Sequence, residues 1–231
     1  MRSVLALFAL LALAAVAQAS LIPSSPVLTS KALQRPAADP EWCPTCVSFM
    51  DQSIDQLLNI IANGGVLGGC NTLCGYLNQQ LEEVVCNLLC DYVGIQAFIK
   101  LVDTIDPDSI YICEELTVCP ISRNASASFK QLSVSPSRGS QGTTFVVEAL
   151  FQVNNTIGTG ELDVVGGTLL VNVKPGVYGA KFEVQTQPSE QEPFSPGQYI
   201  VQAAVCEGTC GSSHPYTKTL TKAQTSFYIT Q

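Results

Sequence analysis

Cys46, Phe49, Met50, Ile54, Leu57, Ile60 and Ile61 recur at steps of three and four. That spacing lays them on one face of a helix. The run stops at Asn63-Gly64-Gly65, where glycine suits a helix end. A second helix is predicted over 66–79, with Val66, Cys70, Leu73, Cys74 and Leu77 on one face. A third is predicted over 81–103, with Val84, Val85, Leu88, Leu89, Val93 and Phe98. Asp106-Pro107 breaks it, and Pro107 starts a short fourth helix with Ile110, Cys113 and Leu116 inward.

Beyond residue 128 the period changes to two. Phe145, Val147, Ala149 and Phe151 share one side of a strand, as do Leu169, Val171 and Val173. Phe182 with Val184, then Tyr199, Val201, Ala203 and Val205, then Phe227 with Ile229 repeat the alternation. Gly and Pro clusters separate these runs. About seven strands in roughly 100 residues predict an antiparallel β-sandwich of immunoglobulin-like size. The inter-sheet Cys pair and core Trp of antibody domains are missing, which leaves the topology open. The predicted fold is therefore α + β in two domains, a four-to-five-helix domain over 41–120 and a β-sandwich over 129–231. The polar stretch 121–128 is read as a hinge.

The chain of 231 residues opens with Arg2, an apolar run from Val4 to Val16, and Ala17-Gln18-Ala19. This order reads as a signal peptide over 1–19. A membrane anchor is the alternative, but the run is shorter than the ~20 residues of a span. Residues 20–40, with four prolines, read as a leader or linker. Two sequons, at Asn124 and Asn154, fit export and are candidate glycosylation sites. The expected location is extracellular, with the lysosome as a second destination. The net charge is −8, and residues 41–120 hold eleven acids against the single base Lys100. Such a balance argues against a nucleic-acid partner.

Ten cysteines, an even number, suit an oxidising compartment. Cys70 and Cys74 are four apart on one predicted helix, and Cys86 and Cys90 on the next. If those helices form an antiparallel hairpin, Cys74 meets Cys86 and Cys70 meets Cys90 one turn further out. Cys46 with Cys113 and Cys43 with Cys119 nest outside them with nearly the same index sum. Cys206 and Cys210 are left for a local bridge. Two other readings stand beside these. Cys43-Pro44-Thr45-Cys46 has the form of a redox pair, but no βαβ context surrounds it. Cys206, Cys210 and His214 make a metal trio, one ligand short of a structural zinc site. No metal or cofactor is expected.

The cysteine framework resembles the saposin family (the saposin B-type domain). Cys43-x-x-Cys46, the central Cys74 and Cys86, and Cys113-x5-Cys119 match its six-cysteine pattern. Cys70 and Cys90 depart from it as an added clamp on the hairpin. The combination with a β domain resembles the countin-type proteins of social amoebae, secreted factors that set group size. The saposin resemblance implies a bent helical leaf whose apolar face is covered by closure, by dimerising or by lipid. Ile54, Leu57, Ile61, Leu73, Leu77, Val84, Leu88 and Phe98 are the candidate lipid-facing residues, and core packing is their alternative role.

The saposin resemblance implies that the chain binds lipid or membrane surfaces. The acidic groups Asp103/Asp106/Asp108, Glu82/Glu83 and Glu114/Glu115 should lose charge in acid and strengthen that binding. The countin resemblance implies an alternative: a signalling factor regulating group size, acting by protein–protein contact. Its partner or receptor would meet the β domain, and a homodimer or larger secreted complex would form. Enzyme activity is not expected. The sole histidine, His214, follows Ser212 and Ser213 without a Gly-x-Ser-x-Gly elbow, and the Gly64–Gly69 stretch lacks the Lys of a phosphate loop.

Overall fold

The computed structural model describes residues 40–64, 68–104, 108–189 and 193–230. The signal peptide and nearly all of the leader lie outside them. Five helices come first: α1 (Cys43–Gly64), α2 (Cys70–Cys74), α3 (Gln80–Val93), α4 (Ile95–Thr104) and α5 (Ser109–Glu115). Eight strands follow: β1 (Ser126–Ser135), β2 (Arg138–Ser140), β3 (Thr144–Asn155), β4 (Ile157–Asp163), β5 (Gly167–Val173), β6 (Gly176–Gln185), β7 (Gly197–Glu207) and β8 (Lys218–Thr230).

The predicted face of α1 is the buried one: Cys46, Phe49, Met50, Ile54 and Leu57 enter the helical core. The helix predicted over 66–79 is in fact a five-residue turn of helix, bounded by Gly69 at its N-cap and Gly75 at its C-cap. The helix predicted over 81–103 is two helices that meet at 109°. Gly94, at φ +85°, makes that corner. Glycine takes this conformation without the Cβ clash that opposes it in other residues. The turn swings α4 back over the core, so Phe98 and Val102 are fully buried. α5 is capped by Asp108, whose carboxylate accepts from the Tyr111 backbone N–H at 3.0 Å. Pro107, expected to start this helix, lies outside the described residues.

Five disulfides join Cys43–Cys119, Cys46–Cys113, Cys70–Cys90, Cys74–Cys86 and Cys206–Cys210. The first two tie α1 to the segment from α5 onward, and the next two clamp α2 on α3. Each restricts the unfolded chain, which stabilises a small helical domain by about 2–4 kcal/mol per bridge.

The strands form two sheets, β1-β3-β6 and β2-β8-β7-β4-β5. All pairs are antiparallel except β2–β8, which is parallel. The expectation of a purely antiparallel domain is corrected there: β2 is three residues long and runs alongside the end of β8. Side chains from both sheets meet between them. Phe145 and Val147 of β3 pack with Val201 of β7 and with Phe227 and Ile229 of β8. The Phe145 and Phe227 ring centroids are 4.1 Å apart.

One alternation fails. Leu169, Val171 and Val173 do not share a side. Leu169 and Val171 pack on the helical core, whereas Leu170 and Val173 pack on the β core. Asn172, at φ +50°, shifts the pleat between them. β5 thereby serves both regions, and all the described residues belong to one compact unit. The stretch 121–128 is likewise engaged: β1 starts at Ser126, and Ala125 and Ala127 are buried in the β core.

Candidate functional site

The helices and sheets meet around an unusual concentration of carboxyl groups. Burying a carboxylate is costly unless hydrogen bonds or a cation compensate it, so the partners of each acid define what the junction does. Glu207, at the end of β7, is 1% exposed. It accepts from the backbone N–H of Gly158 at 3.0 Å and from that of Ser122. Desolvation nevertheless outweighs these bonds and pushes its pKa up to about 7. Beside it, the Thr159 hydroxyl donates to the Pro120 carbonyl at 2.8 Å. Residues 120 and 122, just past the helices, are thus pinned to β4 and β7.

Gly158 and Gly160 make room for this. A Cβ on Gly158 would lie 2.6 Å from a Glu207 oxygen and 2.5 Å from the Ser122 nitrogen. One on Gly160 would lie 2.0 Å from the Cys206 carbonyl oxygen.

The second part of the junction is on α5. Asp108 is 8% exposed. Besides capping the helix, its Oδ1 accepts from the Thr209 hydroxyl at 2.8 Å. Thr209 sits in the loop closed by Cys206–Cys210. Glu161 on β4 accepts from the Cys210 backbone N–H at 2.6 Å, and burial raises its pKa. The His214 ring lies flat on Tyr111, with centroids 4.2 Å apart and planes 2° apart. Its Nε2 is 3.9 Å from Asp108 Oδ2. Glu114 is 3% exposed, and its Oε1 has no hydrogen-bond partner. Burial, with Glu207 and Asp108 nearby, pushes its pKa up to about 8. At neutral pH this carboxyl keeps its proton. An open cleft of about 420 Å³ adjoins the cluster, lined in part by Asp51, Asp108, Glu161 and His214.

Several sequence expectations change here. Ile54, Leu57, Leu73, Leu77 and Phe98 are buried within the helical core, the alternative role that the sequence left open for them. Ile61 is partly buried against the same core. Only Val84 and Leu88 stand outward, at 50% and 55% exposure. Periodicity identifies an apolar face but not what covers it, and here α4 and α5 cover it. The acidic groups are not all surface charges either. Asp108 and Glu114 are internal and Glu82 is buried, while Asp103 is exposed. Asp106 is outside the described residues. Cys206 and Cys210 are bonded to each other, so they cannot act as thiolate ligands beside His214. Among the described residues no His/Cys/Asp/Glu group is arranged to hold a metal ion. Asn124 and Asn154 are both exposed.

Sequence reasoning missed Glu161 and Glu207, and it missed the inward role of Asp108 and Glu114. Glu207 follows Cys206 directly, and Gly158 and Gly160 alternate through a strand. A glycine pair in a strand marks a close approach of another backbone, and this was the available signal.

Residues 41–117 match the Countin N-terminal domain, and residues 127–231 match the Countin C-terminal domain. Countin-1 of Dictyostelium discoideum is 46% identical over 198 residues, covering 81% of this chain and 77% of that protein. Countin-3 of the same organism is 38% identical over 213 residues, covering 88% and 96%. Countin-2 is 42% identical over 188 residues, covering 76% and 74%. Both domain models in this order, with relatives aligned across the junction as well as the two halves, place the chain in the countin family.

Proposed function

We propose that this protein is a secreted signalling factor that regulates cell-group size and acts by protein–protein contact. Its similarity to the three countins along both halves is the observation that carries the reading. Five of the eight candidate lipid-facing residues, Ile54, Leu57, Leu73, Leu77 and Phe98, are packed in the helical core, which supports it. The signal-like residues 1–19, the five disulfides and the exposed sequons fit an exported glycoprotein. We read the helices as a closed saposin-like leaf and the two sheets as a sandwich, joined through the acidic junction into one presenting surface.

Depleting the protein from medium conditioned by aggregating cells tests the proposal. Group size changes on depletion if the reading holds. Unchanged group size after complete depletion contradicts it.

A further inference from the structure

Helix α3 is apolar over more of its circumference than the core uses. Val85, Cys86, Leu89 and Cys90 face inward and are buried. A second strip, Leu81, Val84, Leu88 and Tyr92, is 75%, 50%, 55% and 38% exposed. Steps of three, four and four place these residues in a line along one side of the helix. At 1.5 Å per residue the line is about 16 Å long. At about 100° per residue, Glu83, Asn87 and Asp91 form the adjacent row, so the strip has an acidic rim. A helix that is apolar both inward and outward is one whose outer side is covered in use.

We propose that this strip is the docking ridge for an amphipathic helix of a partner protein, with apolar residues at three- and four-residue steps flanked by Lys or Arg. The proposal rests on the protein-contact reading above and adds where the contact is and what chemistry it selects. A straight ridge of this length matches the apolar seam of a helix laid along it. Charge then decides among the possible occupants. Glu83 and Asp91 flank the strip, and α3 itself carries no Lys or Arg. A second copy would bring an equally acidic surface against Glu83 and Asp91, and an anionic bilayer is repelled by the same charge. A basic helix buries the strip and pairs with the rim.

The test uses the full secreted protein and a labelled synthetic helix of about 18 residues, with Leu at heptad positions a and d and Lys at e and g. Its counterpart carries Glu in place of Lys. Fluorescence anisotropy is expected to show the Leu/Lys helix binding wild type at least about tenfold tighter than the Leu81→Ser/Leu88→Ser variant. The Glu83→Gln/Asp91→Asn variant should bind about threefold more weakly than wild type and with less salt dependence. Equal binding by wild type and the Leu81→Ser/Leu88→Ser variant overturns the proposal, as does equal binding of the Leu/Glu helix. A wild-type dimer that the same double variant dissolves in sedimentation overturns it in favour of a second copy. Flotation with phosphatidylserine vesicles that the double variant abolishes overturns it in favour of lipid. Size-exclusion of conditioned medium separates this proposal from the reading beneath it. Wild type in a large assembly with the double variant released supports the ridge. Both in the same assembly sinks the ridge and leaves protein contact standing. Both as monomers sinks protein contact and the ridge with it.

Discussion

Replacing Glu114 by Gln should remove a pH dependence of stability that the wild-type junction carries. The Glu114 carboxyl titrates near its ordinary 4.5 in the unfolded chain and near 8 in the folded one, chiefly because it is buried, with Glu207 and Asp108 adding to the effect. The folded state therefore holds a proton that the unfolded state has lost. The stabilisation is full below pH 4.5, declines as the pH rises, and is gone above about 8. At 1.4 kcal/mol per pH unit, the loss between pH 4.5 and 7 is about 3 kcal/mol for this group alone. Gln is neutral at every pH and keeps the side-chain shape. Urea unfolding followed by far-UV circular dichroism, with disulfides intact, should give curves that lie close together at pH 4.5. At pH 7.5 the variant should be the more stable by up to about 4 kcal/mol. Glu207, raised to about 7 by burial, adds a slope of the same sign to both proteins, and the difference between them reports Glu114 together with its coupling to Glu207. A wild-type-minus-variant gap that is constant from pH 4.5 to 8.5 would refute the reasoning.

Gly160→Ala should destabilise by about 3 kcal/mol or more, because the new Cβ meets the Cys206 backbone carbonyl and no flexible side chain can yield; a melting temperature equal to wild type would contradict the packing. Cys206→Ser with Cys210→Ser should cost about 2 kcal/mol, the entropy of a short loop, and should raise hydrogen exchange at Thr209, whose hydroxyl holds Asp108. Thr209→Val should cost about 1 kcal/mol and weaken the α5 cap, seen as faster exchange of the Tyr111 amide. Leu81→Ser with Leu88→Ser should leave stability within about 0.5 kcal/mol of wild type, since both side chains are exposed.

The helical core was legible in the sequence because its signal is local. A three- and four-residue period marks the inward face of α1 wherever the partner lies, and cysteines four apart on two neighbouring helices already restrict how they can pair. The corner at Gly94 was missed because a glycine inside an apolar run reads as a tolerated interruption, while its φ of +85° is a tertiary outcome. The sides of β5 were missed for a similar reason: alternation assumes an unbroken pleat, and Asn172 breaks it. The acidic junction was least legible of all. Asp108, Glu114, Glu161 and Glu207 look like surface charges in sequence, and the burial of three of them and half-burial of Glu161 depend on a helix and a sheet more than forty residues apart meeting there. The outward strip on α3 was half visible. Val84 and Leu88 were singled out, but they were grouped with the inward Leu73, Leu77 and Phe98, because an apolar pattern alone does not distinguish two faces of one helix.

Adding purified, delipidated protein back to depleted aggregating cultures, and counting cells per group against dose, tests the central claim most directly. A dose-dependent change in group size, restored without lipid and abolished by reducing the disulfides, is the predicted result. Group size that stays flat across the dose range, or that responds only when lipid is supplied with the protein, would contradict a signal acting by protein contact.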